Sequence, residues 1–159
     1  MKVDLYERYW MWAATGMLAV FLGVMTFAAA SQAIHPPGEV ETIDPRKVRT
    51  EGEFSTPGVH TDADGNVTVV VRAEMFRFEP ERIVVPAGRK VLFRITTPDV
   101  LHGFQVVGTN ANVMIAPGYV SQFAMTFPEP GEYLVVCNEY CGISHHLMSA
   151  KLIVEGTTS

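Results

Sequence analysis

Residues 131–155 read GEYLVVCNEYCGISHHLMSAKLIVE. The two ends, Gly131–Cys137 and Ala150–Glu155, carry the β-branched and aromatic residues expected of strands. Between them lies a loop that holds Cys137, Cys141, His145 and Met148. Two thiols, an imidazole and a thioether therefore share one inter-strand connection. A loop mounted on rigid strands can fold such groups toward a single point. Soft sulfur donors combined with imidazole select copper or zinc over hard cations.

The same short-strand pattern continues upstream. Asn66–Ala73 follows an Asp64-Gly65-Asn66 turn, and Arg82–Val85 and Lys90–Thr97 flank the turn Pro86-Ala87-Gly88. Phe104–Val107 and Val120–Phe127 complete the set. In the latter, Phe123, Met125 and Phe127 alternate with Gln122, Ala124 and Thr126, the period of two of a half-buried strand. Strands this short and evenly spaced predict a mainly β domain, a sandwich or Greek-key barrel, over residues 66–159. Residues 35–65, rich in Pro, Gly and charge, read as a linker with a short helical turn near Pro45–Thr50.

The N-terminal segment, residues 1–34, has a different character. From Tyr9 to about Ala30 no residue is charged, which is enough to cross a bilayer core of about 30 Å as a single helix, at about residues 9–31. Trp10 and Trp12 stand where indoles favour the membrane boundary. The alternative is a cleaved signal peptide, with small residues for cleavage near Ala28–Ala33. The apolar run exceeds a signal core, and Asp4 and Glu7 sit in the leading segment. Lys2 and Arg8 before the helix favour a cytoplasmic N-terminus and an outside β domain. Gly16, Ala19, Gly23, Thr26 and Ala30 form a small-residue stripe suited to close packing against another membrane helix.

The chain has 159 residues and a net charge of −5. It offers no basic surface for nucleic acid, and an acidic face suits a basic protein partner. The two cysteines lie too close together to define a disulfide framework. A local Cys137–Cys141 disulfide in a tethered structural or binding module is one alternative, but it leaves His145 and Met148 without a role. Zinc held by Cys137, Cys141, His145 and His102 would leave Met148 idle. A mononuclear blue copper site has one cysteine too many. Two thiolates bridging two copper ions use every donor, with one imidazole and one weak further ligand for each ion.

The loop resembles the binuclear copper signature of cytochrome c oxidase subunit II, Cys-x-Glu-x-Cys-x-x-x-His-x-x-Met. The likeness extends to Pro98-Asp99-Val100-Leu101-His102-Gly103-Phe104, similar to the segment carrying the family's first histidine, and to Pro130-Gly131-Glu132-Tyr133. It implies a cupredoxin-like Greek-key β-barrel behind a transmembrane helix. It also implies two bridging thiolates, Cys137 and Cys141. His102 and Met148 would serve one copper; His145 and the backbone carbonyl of Glu139 would serve the other. The implied function is to take electrons from cytochrome c or a small copper protein. They would pass to haem in a separate membrane subunit I, where oxygen is reduced to water with proton pumping. A nitric oxide reductase with the same copper subunit is the alternative. The single helix and the absence of a tryptophan near the copper loop resemble the B-type oxidases. Glu74-Met75-Phe76-Arg77-Phe78-Glu79 stands where that aromatic segment would be, which makes Phe76 or Phe78 a candidate for the point where electrons enter. Glu7 resembles an acidic residue at the B-type proton-path entrance. His35, His60 and His146 are read as solvated or peripheral.

Overall fold

The computed structural model describes residues 4–32 and 41–156. It divides into two compact units, Met1–Glu39 and Val40–Ser159. His35 lies outside the described residues, as does the side chain of Ala30.

The first unit is one helix, α1, Leu5–Gln32. Its Leu5–Ala29 portion is long and apolar enough to span a bilayer. It begins four residues before Tyr9, where the unbroken uncharged run starts, for a local reason. The Asp4 carboxylate accepts the Tyr6 N–H at 3.2 Å, and Glu7 sits in the first turn, where the exposed N–H groups favour an anion. The Asp4…Glu7 spacing is that of a capping box. The hydroxyls of Thr15 and Thr26 donate to the carbonyls of Met11 and Leu22 at 2.8 and 2.7 Å. Both polar side chains are thus satisfied within the helix, as a lipid environment demands.

The second unit is a two-sheet β barrel. One sheet is built from β1 (Gly58–Thr61), β2 (Val67–Glu74), β3 (Arg77–Glu79), β5 (Lys90–Thr96) and β8 (Ser121–Thr126), in the order β1-β2-β5-β8 with β3 also on β2. The other is built from β4 (Arg82–Pro86), β6 (His102–Val106), β7 (Asn112–Ile115), β9 (Gly131–Val136) and β10 (Ser149–Glu155), in the order β4-β10-β9-β6-β7. β2 with β5 and β4 with β10 are parallel pairs, and the other pairs are antiparallel. The inner faces meet on an aromatic core. Phe93 stacks on Phe123 at 4.9 Å, and Phe78 meets Phe104 edge-on at 5.5 Å. In β8 the alternation read from sequence is present: Phe123 and Met125 are half-buried, whereas Gln122, Ala124 and Thr126 are exposed.

The linker reading needs correction. The described part of residues 35–65 packs onto the barrel as a strap. Val48 and Phe54, each at most 1% exposed, form a small second core with Val70 and Val120 on the outer face of β2. That is why β2 is buried on both faces. Thr42 bridges to Tyr119, and β1 pairs with β2 from Gly58↔Val70 to Thr61↔Val67. Arg94 on β5 grips the strap through Glu41 and Glu53 at 2.7 and 2.6 Å. Arg49 pairs with the buried Glu74 at 3.0 Å.

Phe54→Ala should therefore destabilise the β domain by about 3–5 kcal/mol, the usual cost of emptying a buried phenylalanine site. Denaturant unfolding of the variant checks this. A cost near zero would return the strap to the status of a linker.

Candidate metal centre

The site is assembled at one end of the barrel by strand parity. Along β6 the side chains of His102, Phe104 and Val106 point inward, all 0% exposed. β9 pairs with β6 through Gln105↔Val136 and Val106↔Val135. The parity that buries Val135 also turns Cys137 inward. Beyond Cys137 the chain leaves the sheet and turns at Gly142, where φ is +135° and a Cβ would lie 2.9 Å from the Phe76 ring. Only glycine combines that backbone with that closeness. A short 3₁₀ turn, His145–Leu147, then returns the chain through Met148 to β10.

The donor atoms converge. Cys137 Sγ and Cys141 Sγ stand 3.9 Å apart, unbonded and buried. His102 Nδ1 lies 3.9 Å from Cys137 Sγ, and His145 Nδ1 lies 3.6 Å from Cys141 Sγ. Met148 Sδ is 3.7 Å from Cys141 Sγ. The Glu139 carbonyl accepts from Cys137 Sγ at 3.1 Å. The ligand atoms of His102, Cys137 and Cys141 all fall within 4.8 Å of one another. Every residue expected to bind metal is thus in this one cluster. Soft sulfurs, imidazole nitrogens and a carbonyl form a donor set suited to copper.

Asp99 joins this cluster, a contact that the reading of the loop missed. Its Oδ1 meets His102 Nε2 at 2.8 Å. A carboxylate on one ring nitrogen fixes the tautomer and leaves the other, Nδ1, free to face the sulfurs. Burial alone would raise the Asp99 pKa. The bond to His102, the N–H groups of Met75 and Val100 and the Thr97 hydroxyl overcome this and hold the carboxyl below its usual range. The signal was present in sequence as Asp-x-x-His, but nothing local showed that the turn closes onto the ring.

The remaining candidates separate. Phe78 is 0% exposed in the core and offers no surface to a donor, because β3 parity turns it inward. Phe76 is half-buried against Gly142, beside the Cys137–Met148 loop. His146 is exposed, and His60 bonds the Thr56 carbonyl at 3.3 Å. Tyr140 packs its ring 5.9 Å from that of His145. The exposed face of the loop is mainly apolar and carries no acidic side chain: Tyr140, Ile143 and Leu147 are 77, 89 and 67% exposed, Asn138 and His146 are exposed beside them, and Met75 lies next to Gly142.

Residues 67–156 match the family model described as the periplasmic domain of cytochrome c oxidase subunit II. The chain belongs to the cytochrome c oxidase subunit II family. A cytochrome c oxidase subunit 2 of Thermus thermophilus is 40% identical over 154 residues, covering 94% of this chain and 92% of that one. A second Thermus thermophilus subunit 2 is 42% identical over 132 residues, covering 82% and 98%. A chain of a haem–copper terminal oxidase dimer solved by cryo-electron microscopy aligns with 94% of this chain and 99% of its own, at a TM-score of 0.70 and 31% identity. The periplasmic domain of subunit II from Bradyrhizobium japonicum, 16% identical, covers 57% of this chain and 84% of its own at a TM-score of 0.53 and shares the fold. The barrel is thus cupredoxin-like, carried by a subunit II of a haem–copper oxidase. The resemblance to B-type enzymes fits the Thermus relatives.

Without metal, the site carries a pH signature. Burial, then the neighbouring Cys137, pushes the Cys141 thiol from an ordinary 9.0 up to about 11. The folded chain then holds this proton more tightly than the unfolded chain. Its contribution to stability is full below about pH 9 and is lost as pH rises toward about 11. Urea unfolding of the metal-free chain should show that decline, and Cys141→Ala should flatten it. An equal decline in the variant would assign the effect to other groups.

Proposed function

We propose that this chain accepts electrons for a terminal haem–copper oxidase through a binuclear copper centre in the Cys137–Met148 loop. The observation that carries the reading is the pair of free, buried thiols 3.9 Å apart, with His102 Nδ1 3.9 Å from Cys137 Sγ and His145 Nδ1 3.6 Å from Cys141 Sγ. When bound, a thiolate-bridged copper pair supplies a one-electron store whose charge is shared over two ions, so little reorganisation accompanies transfer. Cys137 and Cys141 would bridge, His102 and Met148 would serve one ion, and His145 and the Glu139 carbonyl would serve the other. Asp99 holds the His102 ring in register. The buried positions of His102, Cys137 and Met148 keep water from the sulfurs.

The donor, a cytochrome c or a small copper protein, docks on the apolar rim made by Tyr140, Ile143, Leu147 and Met75, with Phe76 beneath it as the aromatic contact where electrons enter. The electrons continue to haem in a membrane subunit I, which reduces oxygen to water and pumps protons. α1 anchors the chain with its N-terminus cytoplasmic and the barrel outside. Glu7 then stands at the cytoplasmic face, near the mouth of that partner's proton path.

Copper loading should give an electron paramagnetic resonance spectrum with the hyperfine pattern of two equivalent copper nuclei. Cys137→Ser should abolish it together with the near-infrared absorption. A pattern from one nucleus, or a spectrum untouched by the substitution, removes the bridging thiolates. The docking face makes a separate prediction. The second-order rate of reduction should change by no more than about threefold between low and physiological salt, whereas a charge-steered encounter falls about tenfold or more. A steep fall would move docking to charged residues away from the rim.

A further inference from the structure

The sheet beside the metal loop contains a contact that the ligand set does not require. Continued two residues beyond its last pairs, the β6–β9 register sets Phe104 opposite Cys137 and Gly103 opposite Asn138. Parity then sends Gly103 and Asn138 to the outer face, behind His102 and Cys137. Asn138 is exposed, but its side-chain amide is engaged. Its Nδ2 donates to Asn112 Oδ1 at 3.0 Å, and Asn112 is on β7, on the far side of β6 in the order β9-β6-β7. The amide therefore crosses the middle strand. It can do so only because the residue beneath is glycine. A Cβ on Gly103 would lie 1.9 Å from Asn138 Oδ1 and 3.0 Å from the Asn138 backbone nitrogen. No positive φ constrains Gly103, so the lack of a side chain here serves space, not backbone conformation.

The strand segment under this bridge has one further role. The Gly103 N–H points at Cys137 Sγ, 3.5 Å away. A donor on a thiolate sulfur withdraws charge from it and favours the more electron-rich, reduced state of whatever the sulfur binds. We propose that Asn138 is a positioning residue: by bridging over Gly103 to Asn112, it holds the Gly103 N–H on Cys137 Sγ and so raises the reduction potential of the metal centre. This rests on the copper reading above for its effect on potential, but not for the clamp itself.

The test uses the full-length chain in detergent. In the copper-free protein, Asn138→Ala and Asn112→Ala should each speed hydrogen exchange of the Gly103 amide about tenfold, the loss of roughly one net hydrogen bond. Asn112→Asp, which keeps the accepting oxygen, should exchange like the wild type. In the copper-loaded protein, both alanine variants should keep their copper and titrate at a lower potential than the wild type. Asn112→Ala, at an exposed position away from the loop, covers the case in which Asn138→Ala disturbs folding. Unchanged exchange at Gly103 in both alanine variants, or rapid exchange in Asn112→Asp, overturns the clamp. Faster exchange with an unchanged potential overturns its role in tuning. A wild-type spectrum from a single copper nucleus would instead count against the binuclear centre and leave the exchange result standing.

Discussion

Two sulfur atoms held side by side out of water set the terms for the rest of this domain. Left to themselves, two free thiols at that separation gain little from each other and lose hydration. Ionising Cys141 is opposed by burial and by the neighbouring Cys137, which raise its pKa. Such a pair becomes useful when a soft cation takes the place of the thiol protons. Metal uptake is thereby linked to proton release. The surrounding residues keep the two sulfurs from drifting apart or closing into a disulfide.

The holding is done by elements of very different kinds. β9 ends at Val136, so Cys137 inherits the inward parity of a rigid strand, whereas Cys141 depends on a turn that only Gly142 permits under the Phe76 ring. His102 arrives from β6 and is fixed by Asp99. Asp99 in turn accepts the Met75 N–H at 2.8 Å, which ties the β6 histidine to the end of β2. Next along that strand, Glu74 collects Arg49, Arg72 and Arg77, and Arg72 also pairs with Glu79 and donates to the Phe54 carbonyl. The network joins the strap to the strand that borders the metal site. Its centre, Glu74 and Arg72, is buried, so the pairing there is enforced by the cost of leaving either charge unpaired, while Arg49, Arg77 and Glu79 lie toward solvent.

The proposed docking surface follows another logic. The chain is acidic as a whole, yet the exposed residues of the ligand loop are the large apolar Tyr140, Ile143 and Leu147 with the uncharged or weakly basic Asn138 and His146. Apolar contact without long-range steering suits a partner that must approach closely and leave quickly. The overall charge then contributes to solubility more than to recognition.

Much of this was legible in the sequence because it is local. Cys137, Cys141, His145 and Met148 lie on one loop, so their spacing alone brings their donors within reach. The strands of residues 66–155 show in their β-branched runs, and α1 in its unbroken apolar stretch. What the sequence left open depended on contacts between distant segments. β1, β3 and β7 have three or four residues each, too few to display a period. Val48 and Phe54 are isolated apolar residues in a polar segment, and only the outer face of β2 makes them a core. Phe76 and Phe78 look alike on paper, but strand parity buries one and leaves the other beside the loop. Asp99 reaches His102, and Asn138 crosses Gly103, because sheet register brings them there. Sequence determined which chemical groups are present and which are neighbours along the chain; tertiary structure decided which of them touch, because burial and register act between segments that the chain order keeps apart.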